Sequence, residues 1–260
     1  MYRLQRKLLS QNFLRNRKLV AKLLGGTSIG KNDLVLEIGP GKGIITEQLV
    51  ERSQHVIAVE LDTHWYKHLQ YTFTDIENLT IYQKDFLEFG LPSLPYKVFA
   101  NIPFSIEGKI IRKLIDARNP PEDCYLVMMK EVAYRLAAPY RENMFSIMHK
   151  PWFEFSIYHH FRRTDFEPVP NVEVVMLRFR KKKEPFIEWR EIKRYQNFVE
   201  LGFSHGQPIK NNLKKQYGKQ RVIQVTKNLN LPRDIKPSFI SLEQWLKLYK
   251  ICAGKPGVFR

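Results

Sequence analysis

The chain has 260 residues, of which 43% are hydrophobic and 27% charged, with a formal net charge of +17. That length suits one large domain, or a large one with a small companion, and that composition excludes an acidic disordered chain. The two cysteines, Cys124 and Cys252, exclude a disulfide framework and a thiolate zinc cluster, and no apolar run reaches the ~20 residues of a spanning helix.

The charge is unevenly spread. Residues 1–30 carry seven Lys/Arg and no acid, residues 31–180 carry 18 bases against 20 acids, and residues 181–260 carry 18 against 6. A near-neutral middle is flanked by two basic ends, the pattern of a chain that gains affinity for a polyanion by releasing counterions. The basic N-terminal arm, residues 1–30, lacks the long apolar stretch of a secretory signal. A reducing, cytoplasmic setting is expected.

In chain order, DLVLEIG (33–39) reads as a buried strand that ends in glycine, and IITEQLVE (44–51) as a helix. HVIAVEL (55–61) is a second strand, residues 64–73 a weak helix, LTIYQ (79–83) a third strand and YKVFANI (96–102) a fourth. IEGKIIRKLIDA (106–117) is an amphipathic helix, CYLVMMK (124–130) a buried strand, and EVAYRLAA a helix. Alternating strand and helix predict an α/β fold, a mostly parallel sheet with helices on both faces. FEFSIYHHF (153–161) and VEVVMLRFR (172–180) then read as a strand pair at the sheet edge. After the linker-like KKKEP (181–185) the pattern is helical: residues 190–203, a segment around Ile209, Leu213 and Tyr217, and SLEQWLKLYKI, opened by a Ser241/Gln244 capping box. A small all-helical C-terminal domain is therefore expected.

Three strand ends carry chemistry. The turn after the first strand, LEIGPGKGIIT (36–46), spaces glycines at Gly39, Gly41 and Gly43, which matches neither the dinucleotide pattern nor the P-loop. Glu60 ends the second strand 21 residues after Gly39, where a carboxylate can accept from both hydroxyls of a ribose. Asp85 follows the third strand, where a carboxylate can accept from an adenine amino group. Together they describe a cleft for an adenosine ligand at the carboxyl edge of the sheet.

This set resembles the class I S-adenosylmethionine-dependent methyltransferases, which implies a Rossmann-like sheet and S-adenosyl-L-methionine as methyl donor, with no metal. Asn101-Ile102-Pro103-Phe104, after the fourth strand, matches the (Asn/Asp)-x-Pro-aromatic signature of those acting on exocyclic amino groups. The residue types suit that chemistry. The N6 lone pair of adenine is delocalised into the ring. Accepting hydrogen bonds from its hydrogens, at the Asn101 side-chain oxygen and the Ile102 carbonyl, frees that pair, while Pro103 stiffens the turn and Phe104 offers a stacking face.

LLSQNFLRNRKLV (8–20) and FRRTDFEPVPNVEVVMLRF (161–179) resemble the opening and a later segment of the rRNA adenine N6-methyltransferases, the group of the erythromycin-resistance (Erm) and KsgA-type enzymes. The resemblance covers residues 8–180. It implies that Gln11, Asn12 and Leu14 sit against the methyl donor, with Gly39, Gly41, Glu60, Asp85 and Asn101, and that Phe166 stacks the target adenine opposite Phe104. It departs from the family at Phe104, where tyrosine is commoner, and at Glu173, where aspartate is usual. NIPF with isoleucine and the FRRTDF run lean toward Erm, hence toward one adenine of 23S rRNA, macrolide-lincosamide-streptogramin B resistance and a monomeric enzyme with rRNA as partner. KsgA-type dimethylation of small-subunit rRNA and a non-catalytic nucleic-acid-binding factor of the same fold stay open. The expected domains are a catalytic one over 1–180 and a small basic helical one over 181–260 that binds RNA.

Overall fold

The structure, a computed structural model, describes residues 12–138 and 141–253. In chain order these form β1 (Phe13–Leu14), α1 (Arg17–Gly25), β2 (Leu34–Ile38), α2 (Ile44–Val50), β3 (His55–Glu60), α3 (Thr63–Thr72), β4 (Leu79–Gln83), β5 (Lys97–Asn101), α4 (Glu107–Ile115), β6 (Asp123–Met129) and α5 (Lys130–Ala137). There follow α6 (Met144–His149), β7 (Phe153–His160), β8 (Phe166–Glu167), β9 (Val174–Lys181), α7 (Ile192–Phe203), α8 (Ile209–Tyr217), α9 (Lys219–Asn228) and α10 (Leu242–Ala253). They fall into two compact units. One runs to Tyr134 and includes Phe155–Lys181; the other comprises Arg135–Glu154 and the chain from Lys182. The second unit thus takes in residues 135–154, which the strand–helix alternation groups with the sheet.

Seven strands form one sheet in the order β4-β3-β2-β5-β6-β9-β7. β2, β3, β4, β5 and β6 pair in parallel, and β9 joins antiparallel to β6 in the register Leu126↔Leu177. Consecutive residues of β2, β5 and β6 are buried, which requires cover on both faces of the sheet. Val20, Leu23 and Leu24 of α1 join Ile45 and Leu49 of α2 in one core with Val35, Val56, Phe99, Tyr125 and Val127. Asp123, 2% exposed, holds the start of β6. It accepts from Ser28 Oγ (2.8 Å), Tyr125 OH (3.1 Å) and the Arg178 guanidinium of β9 (2.6 and 2.9 Å), so a buried charge is fully paired.

Beyond Lys181 the described residues are helices and turns only. Tyr195, Phe198 and Val199 of α7 share their core with Trp245 and Tyr249 of α10, and α10 begins with reciprocal bonds between Ser241 and Gln244 (3.1 and 3.2 Å). Gly202 lets the fully buried Trp245 ring lie against α7, because a Cβ there would collide with that ring. Gly202→Ala should therefore lower stability by about 1–3 kcal/mol through overpacking, despite alanine's better helix propensity. Chemical unfolding of the two proteins measures this, and an equal or higher midpoint would show that Trp245 can move.

Candidate active site at the carboxyl edge of the sheet

Parallel strands joined by helices all point one way, so the ends of β2, β3, β4 and β5 meet at one edge. Glu60 is the last residue of β3, Asn101 the last of β5, and Asp85 lies two past β4. A cavity of about 720 Å³, its open mouth included, lies there and is lined by Asn12, Phe13, Gly39, Gly41, Glu60, Asp85 and Asn101, with Ile102, Pro103 and Phe104.

Glu60 is 3% exposed. Its carboxylate accepts from Gly41 N–H (3.0 Å) and Asp62 N–H (2.8 Å), so the end of β3 and the glycine turn are tied together. Burial pushes its carboxyl up from the ordinary range, opposed by those N–H donors. Two bonds leave lone pairs on a carboxylate for hydroxyl donors. Deeper in, Glu37 is fully buried; Thr46 Oγ donates to one oxygen (2.7 Å) and the other has no partner among the described residues. Burial pushes its carboxyl up to about 8. Asp85 Oδ1 accepts from Leu87 N–H (2.8 Å), which fixes the carboxylate at the cavity wall.

Asn101 Nδ2 donates to the main-chain oxygen of Asn12 at 2.7 Å. Only the nitrogen end of an amide can bond a carbonyl, so the acceptor end, Oδ1, is turned away from Asn12. The next residues are clamped to β6 twice. Ile102 N–H donates to Val127 O (3.2 Å), and Met129 N–H donates to Glu107 Oε1 (2.7 Å). Between the clamps Pro103 holds φ at −63°, and Phe104 opens a 3₁₀ turn closed by Ile106 N–H to Pro103 O (3.2 Å). Glu107 is 2% exposed, and burial pushes its carboxyl up to about 8.

The N-terminal arm crosses this edge as β1, paired antiparallel with β8 through Phe13↔Glu167 and Leu14↔Phe166. Phe13 lies on the glycine turn: a Cβ at Gly41, whose φ is +54°, would run into its ring. Lys42 Nζ sits 5.2 Å from the ring centroid, and Trp65 meets the ring edge-on at 5.3 Å. The cradle fits an adenosine ligand with a charged tail. Glycine backbone forms one wall, an acid stands at each of two strand ends, and aromatic and aliphatic side chains lie between.

The structure thus brings Asn12, Gly39, Gly41, Glu60, Asp85, Asn101, Ile102, Pro103 and Phe104 to one cavity. Two of the expected residues do not line it. Leu14 is 3% exposed in the core, because side chains alternate along a strand and Phe13 takes the cavity side. Phe166 is fully buried, in a T-shaped contact with Phe161 at 5.3 Å between ring centroids, and is absent from the cavity lining. Gln11 lies outside the described residues. Phe13 and Glu107 escape motif reading. Phe13 stands inside the QNFL run with no role implied for it, and Glu107 carries no signal except a charge on the apolar side of an amphipathic helix.

Because Phe166 supports β1 through packing, Phe166→Leu should cost about 1 kcal/mol of stability, as expected for a shape change in a core. It should leave kcat within about threefold of wild type. A loss of kcat without loss of stability, read by single-turnover methyl transfer and unfolding, would restore the stacking role.

The chain is similar to known proteins along most of its length. The family model described as ribosomal RNA adenine dimethylase matches residues 3–254. An rRNA adenine N-6-methyltransferase of Saccharopolyspora erythraea is 30% identical over 94% of this chain, and the chain spans 65% of that protein's length. A ribosomal RNA small subunit methyltransferase A of Acaryochloris marina is 31% identical over 94% of this chain and 95% of its own. Among solved structures, the 23S rRNA methyltransferase ErmE superposes with a TM-score of 0.83 at 29% identity, covering 93% of this chain and 99% of ErmE. A dimethyladenosine transferase of Plasmodium falciparum, at 22% identity and a TM-score of 0.76 over 91% and 95%, shares the fold. With its class I methyltransferase sheet and a match along nearly its whole length, this chain belongs to the ribosomal RNA adenine dimethylase family.

Proposed function

We propose that this chain methylates N6 of one adenine in 23S rRNA, as the Erm enzymes do, and that its presence confers macrolide-lincosamide-streptogramin B resistance. The broader class, an rRNA adenine N6-methyltransferase that draws its methyl group from S-adenosylmethionine, follows from the family. The observation that carries the catalytic reading is the Asn101 amide, held by the Asn12 carbonyl with its oxygen end turned away. Preference for 23S rRNA is supported by the isoleucine of NIPF, the FRRTDF run and the full-length likeness to ErmE.

Gly39, Gly41, Glu60 and Asp85, with Asn12 and Phe13, would hold the donor. When bound, S-adenosylmethionine supplies an electrophilic methyl group on a sulfonium. Asn101 Oδ1 accepts one N6 hydrogen of the adenine and the Ile102 carbonyl the other. These bonds draw the nitrogen toward tetrahedral geometry and localise its lone pair. Phe104 stacks on the base, which must leave its helix to enter the cavity, and base–aromatic stacking returns ~1–3 kcal/mol of that cost. No residue is required as a general base, since the nitrogen sheds its proton to water once alkylated. The chain's contribution is position, held by the two clamps to β6. The basic C-terminal unit would engage rRNA phosphates, in the cytoplasm and as a monomer. No described helix is long and apolar enough to cross a membrane.

The small-subunit reading is kept by the Acaryochloris relative, whose identity equals that of the Saccharopolyspora one within a percentage point. Labelled methyl incorporation into protein-free 23S and 16S rRNA, mapped by primer extension, separates them. A single 23S adenine is expected; two adjacent 16S adenines would replace the first reading with the second.

Asn101→Ala should lower kcat by about 10²–10³-fold, the usual loss for one preorganised polar partner, with donor affinity nearly unchanged. Glu60→Ala should do the reverse, weakening donor binding by ~1–3 kcal/mol with the buried acceptor gone. Calorimetry and single-turnover kinetics on both variants test the pair, and swapped profiles would reverse the two assignments.

A further inference from the structure

A second concave surface lies wholly within the C-terminal unit. α8 and α9 are joined through Gly218 alone, at φ +87°, and the loop after α9 returns to the start of α8 through Ile209 N–H to Ile235 O (3.2 Å). These three segments wall a groove whose floor is aliphatic, made by Val222, Ile223 and Leu231. Its rim carries Lys210, Lys214, Lys219, Lys227 and Arg233. The helical period selects them. Lys210 and Lys214 are one turn apart on α8, and Lys219 and Lys227 stand two turns apart on α9 with Ile223 between. Lys215, beside Lys214 in sequence, does not line the groove.

The rim is almost uncompensated. Lys210 meets Asp234 at 3.6 Å, but that carboxylate is 77% exposed, so the pair is weak. Lys214 Nζ bonds only the neutral Asn211 Oδ1 (3.2 Å), and Lys219, Lys227 and Arg233 have no acidic partner among the described residues. In the same unit Lys150, Lys182, Arg190, Arg194 and Lys247 each lie within 4 Å of a glutamate, and although Lys193, Lys215 and Lys250 also lack an acidic partner among the described residues, they do not line the groove. Five like charges around one groove repel each other unless a polyanion lies between them. No aromatic side chain lines the groove, so bases have no stacking platform there.

We infer that the α8–α9 groove is a docking track for the sugar–phosphate backbone of rRNA, gripped by Lys210, Lys214, Lys219, Lys227 and Arg233 and indifferent to base sequence. This rests on the rRNA reading above and adds to it where the RNA beyond the methylated nucleotide is held. The groove sets affinity and its salt dependence, and the active site sets which atom is methylated.

The test compares two triple variants of equal charge change in the full chain. Lys214→Gln/Lys219→Gln/Lys227→Gln empties the groove, and Lys193→Gln/Lys215→Gln/Lys250→Gln removes exposed lysines that do not line it. Binding of a 23S rRNA fragment is measured across a salt series. Each phosphate that goes unneutralised lowers the slope of log K against log salt by roughly 0.7–0.9. The groove variant should give up about 2 from the slope and bind at least about tenfold more weakly at low salt, with donor affinity unchanged. The control should keep its slope within about 0.9 of wild type. Equal decreases in both variants would replace the groove by a diffuse basic field, and an unchanged groove variant would remove it from the interface. In either case a wild-type chain that binds and methylates rRNA leaves the broader reading standing, whereas a wild-type chain that binds no rRNA overturns that reading and the groove with it.

Discussion

A primary amide has two ends of opposite hydrogen-bonding character, and the site depends on which end of Asn101 faces which neighbour. The nitrogen end bonds the Asn12 carbonyl at 2.7 Å. That one hydrogen bond fixes the amide plane. It also makes the arm part of the proposed acceptor site, since the carbonyl belongs to the residue before β1. β1 lies on the glycine turn through Phe13 and pairs with β8 through Leu14↔Phe166. A short stretch of backbone therefore touches the turn proposed to hold the donor, the amide proposed to hold N6 and the loop from the far part of the sheet. Precision at the reacting atoms is thus set by backbone hydrogen bonds and ring packing rather than by long side chains.

Around this centre the chain buries three glutamates, Glu37, Glu60 and Glu107. Each carboxyl is pushed up by desolvation, and each is partly compensated: by Thr46 at Glu37, by two backbone N–H groups at Glu60, by Met129 N–H at Glu107. Such groups cost stability as charged species, and core positions of this kind are usually apolar. The sheet tolerates them at the edge where its strands end, which is also where they are useful. Glu107 shows how: it ties the start of α4 to the end of β6 and so holds the turn that contains Phe104.

Much of this was legible in the sequence because strand ends in a parallel sheet are predictable positions. Glu60, Asp85 and Asn101 each lie at the end of a strand-like run or within two residues of it, and the topology gathers those ends without further information. The helical C-terminal part and the Ser241/Gln244 cap were legible for the same local reason. What was not legible depends on pairing between distant segments. A two-residue strand has no periodicity, so nothing in QNFL tells whether Phe13 or Leu14 faces the cavity; the ladder with β8 decides it. The same ladder turns Phe166 inward. Likewise, Lys214 and Lys215 are neighbours in sequence, yet the fold sets only Lys214 on the groove and adds cations from α9 and the loop beyond it.

The β1–β8 ladder joins Phe13 to Glu167, residues between which most of the catalytic unit's chain lies. A pairing of such long range carries a loop-closure cost that grows only slowly with the length of chain between its ends. With two residues on each side it is short, and Leu14 and Phe166 anchor it in the buried core. The carbonyl that orients the Asn101 amide is therefore anchored through that core contact. The wide β2–β6 sheet and this four-residue clasp thus serve different ends in the same chain: one forms the body of the fold, and the other positions the amide proposed to hold N6.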